Sequence, residues 1–474
     1  KFYVAFFGAL SNVPGPFITR FTNIPSFKYN IASGRRFQLV KMLHEKYGHI
    51  VRLSPNIISI SDKSMMKQVL VTDDLPKSPV YDLVARKGIP NLFSTRDKIF
   101  HRQRRRVVSP AFSIKYLNSL EPFMTSVTQS LIDKIGKDIE HTKDQEGYGV
   151  VDIWMLMQCL ALDVIGETAF GQTFKMIENN NHFIPGVIKQ EMKSTAVNGM
   201  FPILSRIFVR SATQTDPRLY NFLKDIIEQR ISIKGEKRKD ILQSLLDSQK
   251  AVNDEDRLAA DAIMSETVLF LVAGSETTSN TLGFAIIELL HRPDKLKKLY
   301  AEIDQVPLED DQKIFNHEQV KHLPYLNAVI NETLRIDAVA AGGMPRITAE
   351  KTILGNDLVL PKGIHIVTNV YDVQTSPDYW DNPFEFIPER WIPEESGTVR
   401  PADLDAFFPF SSGTRNCIGK NFALQEMRVA LSSFLKYYEM APIKKELEDS
   451  KDVRLFITLG VKKNSFKIRV KQRN

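Results

Sequence analysis

Cysteine is almost missing from this chain: its 474 residues include only Cys159 and Cys417. A disulfide framework and a four-cysteine zinc site are both excluded, so any special role falls to a single thiol, and a reducing compartment is the expected setting. Long apolar runs are scarce too. A membrane-spanning helix needs about 20 consecutive apolar residues, whereas the opening KFYVAFFGALSNVPGPF is apolar only from Tyr3 to Leu10. Residues 1–11 therefore read as the end of an N-terminal anchor or as an interfacial segment, and no later run reads as long enough to span. The stiff VPGP at Val13 to Pro16 breaks any helix running out of that segment. Repeats, low-complexity tracts and Gly-, Pro- or Ser-rich linkers are absent, which leaves residues 12–474 as one large domain. A hydrophobic content of 43% and a charged content of 25% exclude both a disordered tail and a polytopic membrane protein.

What is present is mostly helical in pattern. HIVRLSPNIISISD alternates well enough for a short hairpin, and LVLPKGIHIVTNV reads as two strands around Pro361 and Gly363. Between these regions helix-like periodicity dominates. The longest helix runs from about Leu258 to His291 and, at 1.5 Å per residue, spans roughly 50 Å, the width of a whole domain. Its apolar run is interrupted at Gly274, Ser275, Glu276, Thr277 and Thr278. A polar break inside a core helix has two readings: a patch bonded to its own backbone, or a widened turn at Gly274 that opens a groove. The net charge of +7 fits an acidic partner or an anionic membrane surface. FHRQRRRVVSPAF at Phe100 to Phe112 lacks a set of stacking aromatics, so no nucleic acid is expected.

Near the C-terminus the chain reads Phe410-x-x-Gly413-x-Arg415-x-Cys417-x-Gly419. Alone, a cysteine there is most often an inert core thiol, the reading kept for Cys159 in WMLMQCLALDVIG. Three further motifs change the weighting for Cys417: AGSETT at Ala273 to Thr278, Glu332-x-x-Arg335 in NETLR, and PERW at Pro388 to Trp391. In type and order the four resemble the signatures of the cytochrome P-450 monooxygenases, microsomal eukaryotic type. The resemblance implies a mainly helical fold with small β-sheets holding haem b (iron protoporphyrin IX), with Cys417 as the ligand to iron.

The resemblance also assigns roles. The helix after Cys417, together with Arg415, would lower the thiol pKa. Gly413 and Gly419 would let the backbone approach a flat porphyrin, and Phe410 would screen the sulfur from water. Glu276 and Thr277 would relay protons during dioxygen reduction. Glu332, Arg335 and Arg390 would form a buried network that locks the haem-side core, where the bland alternative is a solvated helix pair. His101 and Arg105 share a helix face that would reach the haem propionates, as would Arg346 in GGMPRIT, while Arg102 and Arg106 face an acidic redox partner. The family often carries Trp where this chain has His101, and His where it has Gln374.

Ala273, one turn before Thr277, and the small apolar Ala338, Val339 and Ala340 would line a substrate pocket, with Val197 to Phe208 as a roof. RLFITLG and SFKIRV end sooner than the family's usual last substrate-contacting turn, so part of the pocket wall is expected to be missing. The activity implied is insertion of one atom of dioxygen into a hydrophobic small molecule resembling a steroid, terpenoid or fatty acid. Electrons are expected from a separate NADPH-dependent diflavin reductase at the cytoplasmic face of the endoplasmic reticulum membrane. The rival readings are a haem-thiolate isomerase or dehydratase and a non-catalytic haem sensor or carrier. Both leave Glu276 and Thr277 without work.

Overall fold

The computed structural model describes residues 2–22, 31–85, 88–179, 183–198, 215–235, 238 and 240–473. Of the expected roof, Val197 to Phe208, residues 199–208 lie outside the described residues. The helices that position the site are α1 (Phe2–Phe7), α2 (Lys98–Val108), α3 (Ile114–Thr142), α4 (Ile153–Phe170), α5 (Ile184–Asn198), α6 (Pro217–Ser232), α7 (Ala260–His291), α8 (Pro324–Ile336) and α9 (Lys420–Tyr437). Their starts follow ordinary capping chemistry. Asp97 accepts from the Ile99 and Phe100 amides to start α2, Asp152 accepts from Met155 to start α4, and Asp216 accepts from Arg218 to start α6. Gly171, at φ +72°, supplies the left-handed residue that ends α4.

α4 is apolar and long enough to cross a membrane, which corrects the expectation that no run after the N-terminus qualifies; 89% of it is buried inside the protein, so it is the central core helix. It lies against α7, with Trp154 edge-on to Phe284 at 5.2 Å. Gly283 admits the Trp154 ring, and a Cβ on Gly274 would come within 2.8 Å of Ile165. The expected widened turn at Gly274 is not found: α7 is continuous through Ala260–His291. The missing side chain serves helix packing instead.

The strands are β1 (Ile50–Ser54), β2 (Ile57–Ile60), β3 (Gly149–Asp152), β4 (Met344–Ile347), β5 (Thr352–Leu354), β6 (Leu358–Leu360), β7 (His365–Thr368), β8 (Tyr438–Ala441), β9 (Val453–Leu455), β10 (Leu459–Val461) and β11 (Lys467–Gln472). They form small separate sheets: β1-β2-β7-β4, β3-β11-β8, β5-β6 and β10-β9. The β1–β2 hairpin and the strands either side of Pro361 and Gly363 fall where the alternation put them. RLFITLG is not one strand but the β9–β10 hairpin, Leu455 pairing with Leu459 around a turn at Phe456 to Thr458. That turn supplies a wall of the substrate cavity described below, where the sequence led us to expect a gap.

Candidate active site

The loop before α9 is fixed by its own backbone. The Ser411 amide donates to Phe408 O at 3.0 Å, Asn416 to Gly413 O at 3.2 Å and Cys417 to Phe410 O at 2.9 Å. Gly413 has φ +71°, and a Cβ there would collide with the Leu70 carbonyl, so it admits a neighbouring backbone rather than a flat ligand. Gly419 is different. Its φ is −85°, and a Cβ would meet nothing nearer than Cys417 Sγ and Phe112 at 3.9 Å. Neither conformation nor protein packing demands glycine there, and its bare face leaves open space beside Cys417 Sγ.

Cys417 presents an accessible thiol inside the body of the protein. Burial pushes its pKa up, against the Gly419 N–H, Arg105 and Lys420. Arg415, expected to lower it, is not among the groups that act on the thiol; that part falls to Arg105 and Lys420. Arg105 brackets the loop, its guanidinium donating to Asn416 O at 2.9 Å and Asn416 Oδ1 at 2.7 Å. Phe410 is half-buried and packs against the core.

Arg415 faces the other way. It donates to Thr95 O at 3.0 Å and Asp97 O at 3.1 Å, beside a cluster made of His101, Arg346 and a residue the sequence reading missed, Lys77. Lys77, His101 and Arg346 are 5%, 6% and 2% exposed. A bridge between β4 and residue 77 sets Lys77 beside Arg346. Lys77 donates to Phe93 O and lies over the Tyr81 ring at 4.3 Å. Arg346 Nε is buried with no partner. Among the described residues none of Lys77, Arg346 and Arg415 pairs with a carboxylate. Burial, then Arg346 and Arg415, push the Lys77 pKa well down. His101 is pushed down to about 3 by burial, Arg415, Lys77 and Arg105, so it offers a neutral N–H rather than a charge.

Glu332, Arg335 and Arg390 do come together. Arg335 donates to both Glu332 oxygens at 2.8 and 2.7 Å, and Arg390 Nε to Oε1 at 3.1 Å. Trp391 Nε1 adds 2.9 Å and the Ile387 amide 3.0 Å. The remaining Arg335 N–H groups reach the carbonyls of Gln374, Pro383 and Glu385. Gln374, fully buried, donates to Leu334 O and Arg335 O at 3.0 Å and accepts from the Phe408 amide at 2.8 Å, tying the end of α8 to the cysteine loop.

Beside α7 lies a cavity of about 850 Å³, lined by Ala273 and Thr277, Val339 and Ala340, and Ile457 and Thr458. Ala338 is a correction: at 1% exposed it packs with Ile366 and Val370 in the core under the β1-β2-β7-β4 sheet, facing away from the cavity. Glu276 and Thr277 do not converge. Neighbours on a helix point about 100° apart, and Glu276 lines a second cavity with Asn280, whose amide donates to it at 3.1 Å. Burial pushes the Glu276 carboxyl up to about 7. The Thr277 hydroxyl donates to Ala273 O at 2.8 Å, the self-bonded arrangement.

A second missed residue is Glu266 on α7, 1% exposed. Its carboxylate accepts from the Leu92 amide at 2.9 and 3.1 Å and thereby holds the segment whose Asn91 and Phe93 line the cavity. An acid inside the apolar MSETVLFL was the available signal.

An accessible cysteine on a tight loop, buried cations without anions, a bare glycine and an adjoining cavity fit a flat, dianionic, metal-bearing group: the site is of the haem-thiolate class. The sequence profile described as Cytochrome P450 matches residues 13–470, and the chain belongs to the cytochrome P450 family of monooxygenases. It is 35% identical to the cytochrome P450 monooxygenase acrD of Aspergillus aculeatus, over 91% of this chain and 86% of that protein. It is 31% identical to FUS8 of Gibberella moniliformis, over 98% and 89%, and 30% identical to LUC2 of a Fusarium species, over 98% and 90%. Membership implies a haem cofactor.

Proposed function

We propose that this chain holds haem b through Cys417, with its propionates between Lys77, Arg346, Arg415 and the His101 N–H, and that it oxygenates an apolar substrate. The observation that carries the reading is the cation cluster: buried like charges are unstable alone and become favourable when two carboxylates arrive. Arg105 is assigned to the cysteine loop rather than to the propionates. When bound, haem supplies dioxygen activation, with the thiolate donating electron density that favours O–O cleavage.

The chain's own residues manage substrate and protons. The mainly apolar lining of the large cavity holds a steroid-, terpenoid- or fatty-acid-like body beside Ala273. Thr277 Oγ1 keeps its proton on Ala273 O and delivers it by rotating about χ1. Glu276, with a pKa of about 7, takes up and releases protons at neutral pH in the second cavity, and shares no hydrogen bond with Thr277. Electrons come from a separate NADPH-dependent diflavin reductase. Of the basic pair assigned to that contact, Arg102 is exposed, whereas Arg106 is tied to Asp256. Exposed Phe2, Tyr3, Phe7 and Phe17 support seating on the cytoplasmic face of the endoplasmic reticulum membrane.

Reconstitution with reductase and NADPH tests the reading. The reduced carbon monoxide spectrum should be of the thiolate type, and product should form only with NADPH. Cys417→His should keep some haem and lose both signals. An unchanged spectrum in that variant, or product without NADPH, would overturn the assignment.

A further inference from the structure

The second cavity, about 320 Å³, adjoins the substrate cavity and shares Met192, Lys193 and Thr458 with it. The partition is soft: Thr458 Oγ1 donates to Met192 Sδ at 3.4 Å, a weak bond to an adaptable side chain. Beyond it the wall is cationic. Lys189, Lys193, Arg454 and Lys462 line it, and Glu276 is its only acid among the described residues.

These cations are not equivalent. Arg454 and Lys462 are both tied to Asp452, the latter at 3.1 Å. Lys189 and Lys193, one turn apart on α5 and so on one face, have no carboxylate within ion-pair distance among the described residues. Lys189 donates to Lys462 O at 3.1 Å, and Lys193 lies 5.9 Å from the Phe456 ring centre. Glu276 offsets them only in part: burial pushes it up to about 7, so it carries a partial charge at neutral pH, and that charge acts on Lys189. Lys189 is itself partly desolvated, burial lowering it to about 8. Two lysines on one helix face, Lys189 partly desolvated and Lys193 exposed, both without a paired carboxylate among the described residues, stand at the end of a mainly apolar cavity.

We propose that this second cavity holds the carboxylate of an otherwise apolar substrate, anchored by Lys189 and Lys193 while the reacting end lies beside Ala273 and Thr277. The inference rests on the monooxygenase reading for where the reaction occurs, and not for the anion site itself. An aqueous channel is the competing use of the space and gives no preference for an acid.

The test uses the haem-loaded protein and matched pairs: dodecanoic and hexadecanoic acids, a diterpene acid and a cholanic acid, each against its methyl ester. Affinity is measured by equilibrium dialysis at neutral pH, which needs no haem signal. At least one acid should bind roughly tenfold or more tightly than its ester, and the preference should fall with added salt. Lys189→Gln with Lys193→Gln should remove the preference and leave ester affinity and the carbon monoxide spectrum unchanged. If that variant does not load haem, Lys193→Gln alone, at an exposed position, should cut the preference at least threefold. No acid outbinding its ester, including no acid binding at all, overturns the proposal, as does a preference that survives the substitutions. A wild-type protein lacking the thiolate spectrum would sink the haem reading while dialysis still decided the anion site.

Discussion

Glu332, Arg335 and Arg390 are as deeply buried as Lys77 and Arg346, yet the first set is closed around a carboxylate, with Arg390 Nη1 left over, and the second, which has no carboxylate, is open. In the first, one carboxylate takes bonds from two guanidiniums, an indole and an amide, and the surrounding carbonyls use the rest of Arg335. In the second, the cations meet carbonyls and one another. Desolvated charge is tolerated only when matched, so a cluster that matches itself belongs to the fold, whereas one left unmatched belongs to a ligand. The two are linked: Gln374 connects the end of α8 to Phe408 at the head of the cysteine loop.

Breaking the closed cluster should have the largest effect. Glu332→Ala leaves Arg335 and Arg390 buried without their anion, at about 3 to 5 kcal/mol, and the expected product is haem-free or aggregated protein. Soluble, fully haem-loaded variant with an unchanged melting temperature would end the distinction. The open cluster should respond with opposite signs in two states. Lys77→Met removes a repelled cation, so haem-free protein should melt no lower than the parent. Haem should be lost roughly tenfold to a hundredfold faster, the worth of a charged hydrogen bond of about 1.5 to 3 kcal/mol. Apomyoglobin capture measures that rate, and a variant destabilised equally in both states would place Lys77 in the fold.

Glu266 lies between the two cases: it is bonded, but burial still raises it from 4.5 to about 7 against the Leu92 amide and Arg104. Folded protein therefore binds more protons than unfolded protein between those values, and this group's contribution to stability is full below pH 4.5 and falls as pH rises toward 7. Glu266→Gln should flatten that decline by about 3 kcal/mol, read as a narrower gap between melting temperatures at acid and neutral pH. An equal gap in both proteins would show that the carboxyl is ionised throughout.

Thr277→Ala touches neither cluster and should change stability least. Its effect is on coupling, since a positioned proton donor is worth about 10²- to 10⁴-fold in rate, less where water substitutes. NADPH consumption should persist while hydrogen peroxide replaces product. Unchanged coupling would remove Thr277 from the proton path.

Local pattern carried much of this. The long helix was expected from Leu258 and begins at Ala260, because a sustained apolar run leaves little choice of period. The Glu332–Arg335 spacing placed both groups on one face of α8. What failed was direction and distance. Gly274 read as a weak point and is a packing surface for Ile165; Ala338 read as pocket and is core. Arg415 read as the partner of the thiol beside it, but its side chain crosses to Thr95 and Asp97.

The sequence by itself carried the motifs of the family and the helices and strands whose periods are local. Only the tertiary structure decided which buried charges are matched, that Glu276 and Thr277 open into different cavities, and that Lys77, Glu266 and Gln374 hold the site together. The reason is the range of the interactions. A period of 3.6 or 2 residues is written within a few neighbours, whereas Lys77 meets Arg346, and Glu266 meets Leu92, only after the chain has folded back on itself.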